Sequence, residues 1–250
     1  MAPGAERIWG RMKGRARGLG PGARFLLAGV LAAGPAGAQE CRLALALAFD
    51  VSASVDQREY RLMMEGTAAA LRAPEVRAAA LSGAPVALAA YVWAGRREQA
   101  IAADWRVIQS EADLAELADR LAGFPRPSGD PLGIWSGRTG VGAALAAGGR
   151  LLERAPRCEA QVIDLAGDGQ NNDGPETVRF EAVTVNALAV AGNMPLDYDG
   201  AVDGLARWYA QNVLQGPGAF VLEAQGYEDF ARAMRIKLER EFRPLLLGAL

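Results

Sequence analysis

Histidine is absent from this chain of 250 residues, and cysteine and lysine occur only twice each. Without histidine, the protein has no Ser-His-Asp or Cys-His catalytic arrangement and no zinc site with histidine ligands. Two cysteines are also too few for a structural zinc site built from thiolates alone, which requires four. These absences exclude the commonest nucleophilic and zinc chemistries.

The first 38 residues have the pattern of a secretory signal peptide. Residues 1–24 carry six basic residues and one acid, and residues 25–38 form an apolar run that ends in Ala36-Gly37-Ala38. The alternative is a membrane anchor, but this short run is interrupted by glycines and a proline, whereas a span must cross ~30 Å of hydrocarbon. We expect a signal peptide over residues 1–38, cleaved after about Ala38, and a mature domain over 39–250 in the periplasm or outside the cell. Translation could also start at Met12.

The net charge of -2 is the sum of two parts with opposite signs. Without residues 1–38 the chain has 21 basic and 28 acidic residues, a net charge of −7. A negative domain is a poor ligand for a phosphate backbone, so no nucleic-acid partner is expected. The apolar tail at residues 245–250 is too short for an anchor, so no stable membrane anchor is expected after cleavage.

Hydrophobic patterning in the mature chain alternates between strands and helices. Strands are predicted at residues 42–49, 85–93, 99–108, 160–166, 183–190 and 219–223. Helices are predicted from Asp56 to just before Pro74, at 110–121, at 141–154, within 196–214 and at 227–243. This alternation predicts a single α/β domain with a doubly wound, mostly parallel sheet flanked by helices. The second and third strands are predicted to form an antiparallel hairpin at one edge of the sheet.

Two predicted strands end in an aspartate followed by a polar loop. The first gives Asp50-Val51-Ser52-Ala53-Ser54, and the other gives Asp168-Gly169. Thr139 lies in a third loop between them, before a helix. Because open parallel sheets bind ligands beyond the carboxyl ends of their strands, these oxygens are expected to converge on a hard divalent cation. The alternatives are that the serines satisfy backbone groups and that Thr139 caps its helix.

This arrangement resembles a von Willebrand factor A-type domain with a complete metal-ion-dependent adhesion site. More narrowly, LALAFDVSASVDQREY and CEAQVIDLAGDGQNNDG resemble a family of secreted proteobacterial proteins with no assigned function, over residues 41 to 242. The resemblance implies that Ser52, Ser54 and Thr139 coordinate Mg²⁺ directly, with Mn²⁺ or Ca²⁺ as alternatives, and that Asp50 and Asp168 act mostly through water. It leaves one coordination position for a carboxylate of a protein partner. Relatives have a fuller helix where this chain has only residues 174–182, with room for one or two turns.

Three other functional motifs are only partly matched by the sequence. The glycines at 137–142 have P-loop spacing, but Ala143-Ala144 replaces the required Lys-Ser/Thr. The loop at 168–174 has Arg179 where a calcium-binding EF-hand needs a bidentate glutamate. A Ser-Lys nucleophile would have only Lys237, on the predicted terminal helix.

The positions of the two cysteines provide a check on the predicted pairing of the strands. Cys41 lies nine residues before Asp50, and Cys158 lies ten before Asp168. If the aspartates end neighbouring parallel strands, the cysteines begin them, and strands about 4.8 Å apart bring such residues near disulfide distance. We predict a Cys41–Cys158 disulfide in an oxidising compartment; the alternative is two free thiols.

The leading functional hypothesis is an exported binding module that uses its cation to bind an acidic group of a protein partner. It rests on a complete cation site with no nucleophile or general base beside it. The alternative is a metal-assisted hydrolase of the cell envelope, with Asp173 or Asp130 as base. A third possibility is an interaction domain in which the site is purely structural. The tryptophans are expected to pack in the core or at its edge, with Trp135 in the long loop at 124–138 as the exception.

Overall fold

A computed structural model describes residues 41–127, 137–191 and 202–243, with the side chains of 202 and 203 left aside. The predicted signal peptide, Asp130, Trp135 and the tail at 245–250 lie outside these residues. All of the described residues belong to one unit, Ala38–Leu250.

Six strands form one sheet, as the alternating pattern predicts. They are β1 (Cys41–Asp50), β2 (Val86–Trp93), β3 (Gln99–Ile108), β4 (Cys158–Gly167), β5 (Thr184–Val190) and β6 (Val221–Ala224). Their order is β3-β2-β1-β4-β5-β6. Only the β2–β3 pair is antiparallel, and it lies at an edge. The predicted doubly wound sheet with an edge hairpin is confirmed.

Helices cover both faces of this sheet. They are α1 (Gln57–Arg72), α2 (Pro74–Ala80), α3 (Glu111–Ala122), α4 (Val141–Leu152), α5 (Val202–Asn212) and α6 (Phe230–Phe242), the last preceded by a 3₁₀ turn at Tyr227–Asp229. A capping box opens α1 where the sequence predicts the helix to begin: Asp56 accepts from the N–H groups of Arg58 and Glu59, and the Glu59 carboxylate accepts from the N–H of Asp56. Helix α2 is absent from the predicted elements because a proline after a helical pattern indicates the end of a helix, whereas proline also suits the first position of the next one.

The hydrophobic core has two layers, one on each face of the sheet. Helices α1, α2, α3 and α6 pack on one face, and α4 and α5 pack on the other. Strands β1 and β2 are buried almost throughout, as expected for central strands covered on both faces. Trp93 is completely buried in this core, as predicted, and Trp105 and Trp208 pack at its edge. None of the helices in the described part of the chain has the length and apolarity to cross a membrane.

The segment between Asp168 and Val183 contains no helix, although the sequence leaves room for one or two turns. It lies directly on α4, whose glycines allow the close approach. A Cβ on Gly142 would collide with the carbonyl oxygen of Pro175, and one on Gly149 would lie 2.8 Å from the Phe180 ring. Packing against these glycines replaces helix formation in the segment.

The predicted disulfide is present. Cys41 and Cys158 are direct partners in the parallel β1–β4 ladder, with their Cα atoms 4.5 Å apart, and they form a disulfide. This pairing supports the strand register derived from the two aspartates.

Lys237 is completely buried, which its place on the terminal helix did not predict. Its Nζ lies 2.9 Å from Oδ1 of Asp164 on β4 and 3.1 Å from Oε1 of Glu241. Asn186 on β5 donates to the same Glu241 oxygen at 2.7 Å. Burial raises the pKa of Asp164, and the neighbouring ammonium opposes that shift. The network ties α6 to the centre of the sheet.

Candidate metal centre

Asp50 ends β1 and is completely buried. Its Oδ1 accepts a 2.8 Å hydrogen bond from the N–H of Ser52, which turns the chain sharply after the strand. Its Oδ2 has no hydrogen-bond partner among the described residues. A buried carboxylate oxygen without a donor costs free energy, so this atom marks the place where a positive ligand would be stabilised.

The two serines and Asp168 lie together beyond the ends of β1 and β4. Ser52 Oγ is 3.1 Å from Ser54 Oγ, and Ser54 Oγ donates a 2.7 Å hydrogen bond to Asp168 Oδ1. Ser52 is buried, whereas Ser54 is exposed, so the group opens toward solvent on the side of Ser54. The structure thus brings together four of the five residues singled out in the sequence.

Thr139, the fifth residue, is buried beside Asp168. A Cβ on Gly169 would lie 3.4 Å from the Thr139 hydroxyl oxygen. The N–H of Thr139 donates to Asn172 Oδ1, and the N–H of Asn172 donates to the Thr139 carbonyl, both at 2.8 Å. Helix α4 is capped by Gly140, without a side-chain hydrogen bond, so the Thr139 hydroxyl does not act as its cap.

Arg126 supports the loop that carries the serines, and sequence reasoning missed it. Its Nη2 lies within hydrogen-bond distance of three carbonyl oxygens, those of Val51 and Ser52 at 3.2 Å and of Val55 at 2.8 Å. No sequence motif marks this arginine, because its acceptors are backbone atoms more than seventy residues earlier. Its guanidinium is positioned to donate hydrogen bonds to carbonyl oxygens of the turn after β1, which are not part of a helix or strand.

Burial makes the two aspartates difficult to ionise when no cation is present. It raises the pKa of Asp50 to about 8, and the nearby Asp168 carboxylate adds to the shift. Burial also raises the pKa of Asp168, while the Ser54 hydrogen bond lowers it. Tyr209 and Tyr227 flank the pair, and their pKa values lie well above the ordinary value because of burial and these carboxylates.

The donor set fits a hard divalent cation. It consists of two carboxylates and three hydroxyls, all oxygen ligands of the kind preferred by Mg²⁺, Mn²⁺ or Ca²⁺. Within the described ranges, there is no group of three or more histidine, cysteine, aspartate and glutamate side chains that could hold a metal ion. A cation at this place would therefore need the hydroxyl oxygens in addition to the two carboxylates.

Asp173, the base considered for a hydrolase, is engaged in positioning the loops. Its Oδ2 accepts a 2.8 Å hydrogen bond from the N–H of Arg96, and its own N–H donates to the Thr139 carbonyl at 3.1 Å. Asp130, the other base considered, lies outside the described residues.

Solved structures with the same fold include proteins from animals and bacteria. Proximal thread matrix protein 1 from the mussel byssus, with a zinc-occupied MIDAS motif, aligns at 21% identity and a TM-score of 0.52, over 81% of this chain and 46% of that chain. The pilus adhesin SpaC from Lactobacillus rhamnosus GG aligns at 10% identity and a TM-score of 0.55, over 81% of this chain and 31% of that one. A von Willebrand factor type A protein from Catenulispora acidiphila aligns at 17% identity and a TM-score of 0.47, over 81% and 43%.

These similarities concern the fold alone, which this chain shares with the mussel byssus protein and with SpaC. The chain spans less than half the length of each of these three solved chains. No curated protein matches it by sequence. The model of the family described as "Protein of unknown function (DUF1194)" matches residues 40–245, and the chain belongs to that family.

Proposed function

We propose that this chain is an exported binding module that uses a divalent cation to bind an acidic group of a protein partner. Ser52, Ser54 and Thr139 hold the cation directly, and Asp50 and Asp168 hold it mostly through water. Mg²⁺ is the first candidate, with Mn²⁺ and Ca²⁺ as alternatives. The partner supplies a carboxylate to the remaining coordination position.

The observation that carries this proposal is the buried Oδ2 of Asp50, which has no donor among the described residues. An anionic oxygen in this environment is costly unless a cation or a proton neutralises it. The hydroxyls of Ser52 and Ser54 lie close enough to each other and to Asp168 to contribute to one centre. Oxygen ligands are the natural set for such a cation.

Neutral ligands explain why the cation would attract a partner. A bound divalent ion supplies positive charge. The three hydroxyls that hold it directly do not neutralise that charge, and the two carboxylates act mostly through water, so an incoming carboxylate oxygen is strongly attracted. A zinc-occupied MIDAS motif in the mussel byssus protein and the adhesin role in the name of SpaC support this proposal. They also support a location outside the cytoplasm, reached through the signal peptide at residues 1–38.

The first experiment measures cation binding by the mature protein. Isothermal titration with Mg²⁺ and Mn²⁺ is expected to give one site in the wild type and none in Asp50→Ala. Asp104→Ala is the matched control, because its exposed carboxylate lies on the edge strand β3, accepts from a backbone N–H and is outside the donor set. Equal binding by the wild type and Asp50→Ala would overturn the cation site.

The second experiment looks for the partner in the native envelope. Crosslinking and pull-down are expected to recover a specific protein that is lost with EDTA and with Asp50→Ala, but kept with Asp104→Ala. Recovery of the same protein under all conditions would contradict the metal-dependent mechanism. N-terminal sequencing of the envelope protein tests cleavage after about Ala38.

A further inference from the structure

Two neighbouring arginines, Arg96 and Arg97, are exposed in the turn between β2 and β3. This turn packs against the residue that follows Thr139. The N–H of Gly140 donates to the Ala94 carbonyl at 2.8 Å, and a Cβ on Gly140 would lie 3.0 Å from both that oxygen and the N of Arg96. Because any side chain at position 140 would push the turn away, the glycine keeps the two loops in contact.

A second set of hydrogen bonds fixes the same turn to the loop after β4. The N–H of Arg96 donates to Asp173 Oδ2 at 2.8 Å, and the N–H of Asp173 donates to the Thr139 carbonyl at 3.1 Å. The backbone of Arg96 is thus two hydrogen bonds away from Thr139. A Cβ on Gly174 would lie 2.9 Å from the Arg96 Cβ, so this side of the turn is also closely packed. The arginines stand at the rim of the candidate metal centre.

Among the described residues, neither guanidinium forms an ion pair. The acids on nearby loops have other contacts. Glu98 is buried and accepts from the N–H of Gly95, and Glu228 pairs with Arg58 at 2.7 Å. Arg96 and Arg97 thus place two positive charges side by side on a mature chain with a net charge of −7. Charge complementarity at this rim favours an anionic group of a partner.

We propose that Arg96 and Arg97 bind a second carboxylate of the partner, which rests on the proposed function of the cation site. The ligand class is then an acidic protein segment, with one carboxylate at the cation and another at the arginines. A planar guanidinium suits this role because it can bind both oxygens of a carboxylate at once. The arginines determine specificity, because a partner with a single acid cannot use both anchors.

The test uses two acetylated, amidated peptides, one with a single aspartate between glycines and one with a run of aspartates between glycines. Their affinities for the Mg²⁺-loaded mature protein are measured by titration at several salt concentrations. Three proteins are compared: the wild type, Arg96→Gln/Arg97→Gln, and a control, Arg150→Gln/Arg157→Gln. The control removes the same charge from exposed positions near the opposite ends of the strands, where α4 ends and β4 begins.

The expected result is that Arg96→Gln/Arg97→Gln weakens binding of the multi-aspartate peptide by about three- to tenfold. Binding of the single-aspartate peptide and of Mg²⁺ should stay unchanged, and the control should behave as the wild type. The arginine anchor is wrong if Arg96→Gln/Arg97→Gln loses no more affinity for the multi-aspartate peptide than the control does. The cation site still stands in that case, provided that the single-aspartate peptide binds in the presence of Mg²⁺. If neither peptide responds to Mg²⁺ or EDTA, the proposed function itself fails.

Discussion

Ser54 and Asp168 are 114 positions apart in the chain, yet the Ser54 hydroxyl donates a 2.7 Å hydrogen bond to Asp168 Oδ1. This bond joins the loop after β1 to the end of β4. It directs the serine proton toward the carboxylate, so the Ser54 oxygen can only accept in its 3.1 Å contact with Ser52 Oγ, and one lone pair is left for another ligand. A hydroxyl held in this way is prepared to coordinate a cation without first losing a hydrogen bond, which is the kind of preorganisation that a binding site needs.

Replacing Asp50 by asparagine is expected to stabilise the cation-free protein while removing its response to Mg²⁺. The variant no longer buries an ionisable group with an unpartnered oxygen, and relief of such a cost amounts to about 1–3 kcal/mol. Thermal unfolding with EDTA and with Mg²⁺ measures both effects. The control is Asp56→Asn, because asparagine is also a good helix N-cap. A cation-free Asp50→Asn that unfolds below the wild type would contradict the prediction.

The cation-free protein should become less stable as the pH rises from about 4 toward 8. The folded-state pKa of Asp50 is raised from 3.8 to about 8, so the folded state binds more protons than the unfolded state within this window. The stabilising proton is present at low pH and is lost as the pH passes through the folded pKa. A cation competes with that proton, so Mg²⁺ affinity should increase over the same range, with proton release on binding.

Denaturation midpoints in EDTA at several pH values test the first effect, and titration in buffers of different ionisation enthalpy tests the second. In Asp50→Asn the stability slope attributable to this group should disappear. A wild-type stability that rises steadily between pH 4 and 8 would be opposite in sign to the prediction.

The sequence predicts the parts of the site that follow directly from the strands. Asp50 and Asp168 stand where apolar runs end, so the sheet alone brings them to one edge, and the cysteines nine and ten residues earlier confirm the register through their disulfide. The supporting contacts could not be predicted in this way. Arg126 acts on backbone carbonyls after a turn, and its partners depend on how the loop after α3 folds back. Helix α2 was missed because one proline signals both an end and a beginning.

Arg126→Gln should weaken Mg²⁺ binding by about tenfold with only a moderate loss of stability. The guanidinium holds three carbonyls of the loop that carries Ser52, and hydrogen bonds to charged groups contribute about 1.5–3 kcal/mol. Cation titration gives the affinity, and hydrogen exchange of the amides at residues 51–55 reports loop order. Arg126→Lys should retain part of the affinity.

Arg120→Gln is the matched control for this change. Arg120 also donates to a backbone carbonyl, that of Ala102 at 2.8 Å, but on the edge strand β3. It should leave Mg²⁺ affinity unchanged. Equal cation affinity in Arg126→Gln and the wild type would show that the loop keeps its shape without the arginine.

Lys237→Met should destabilise the protein by about 3–5 kcal/mol, because it leaves two buried carboxylates without their cation. Asp164 and Glu241 lie 2.9 and 3.1 Å from the lysine Nζ, and the exposed fraction of each of these side chains is 3% or less. Arg235→Met on the same helix is the control. Its ion pair with Glu75 is partly exposed, so its loss should cost no more than about 1 kcal/mol.

Adding Asp164→Asn and Glu241→Gln to Lys237→Met should recover much of the stability, since no buried charge is then left unpaired. Urea denaturation of the wild type and the three variants measures these changes in stability. A triple variant as unstable as Lys237→Met would contradict the prediction. The effect would then come from the lost packing of the lysine stem and not from the unpaired charge.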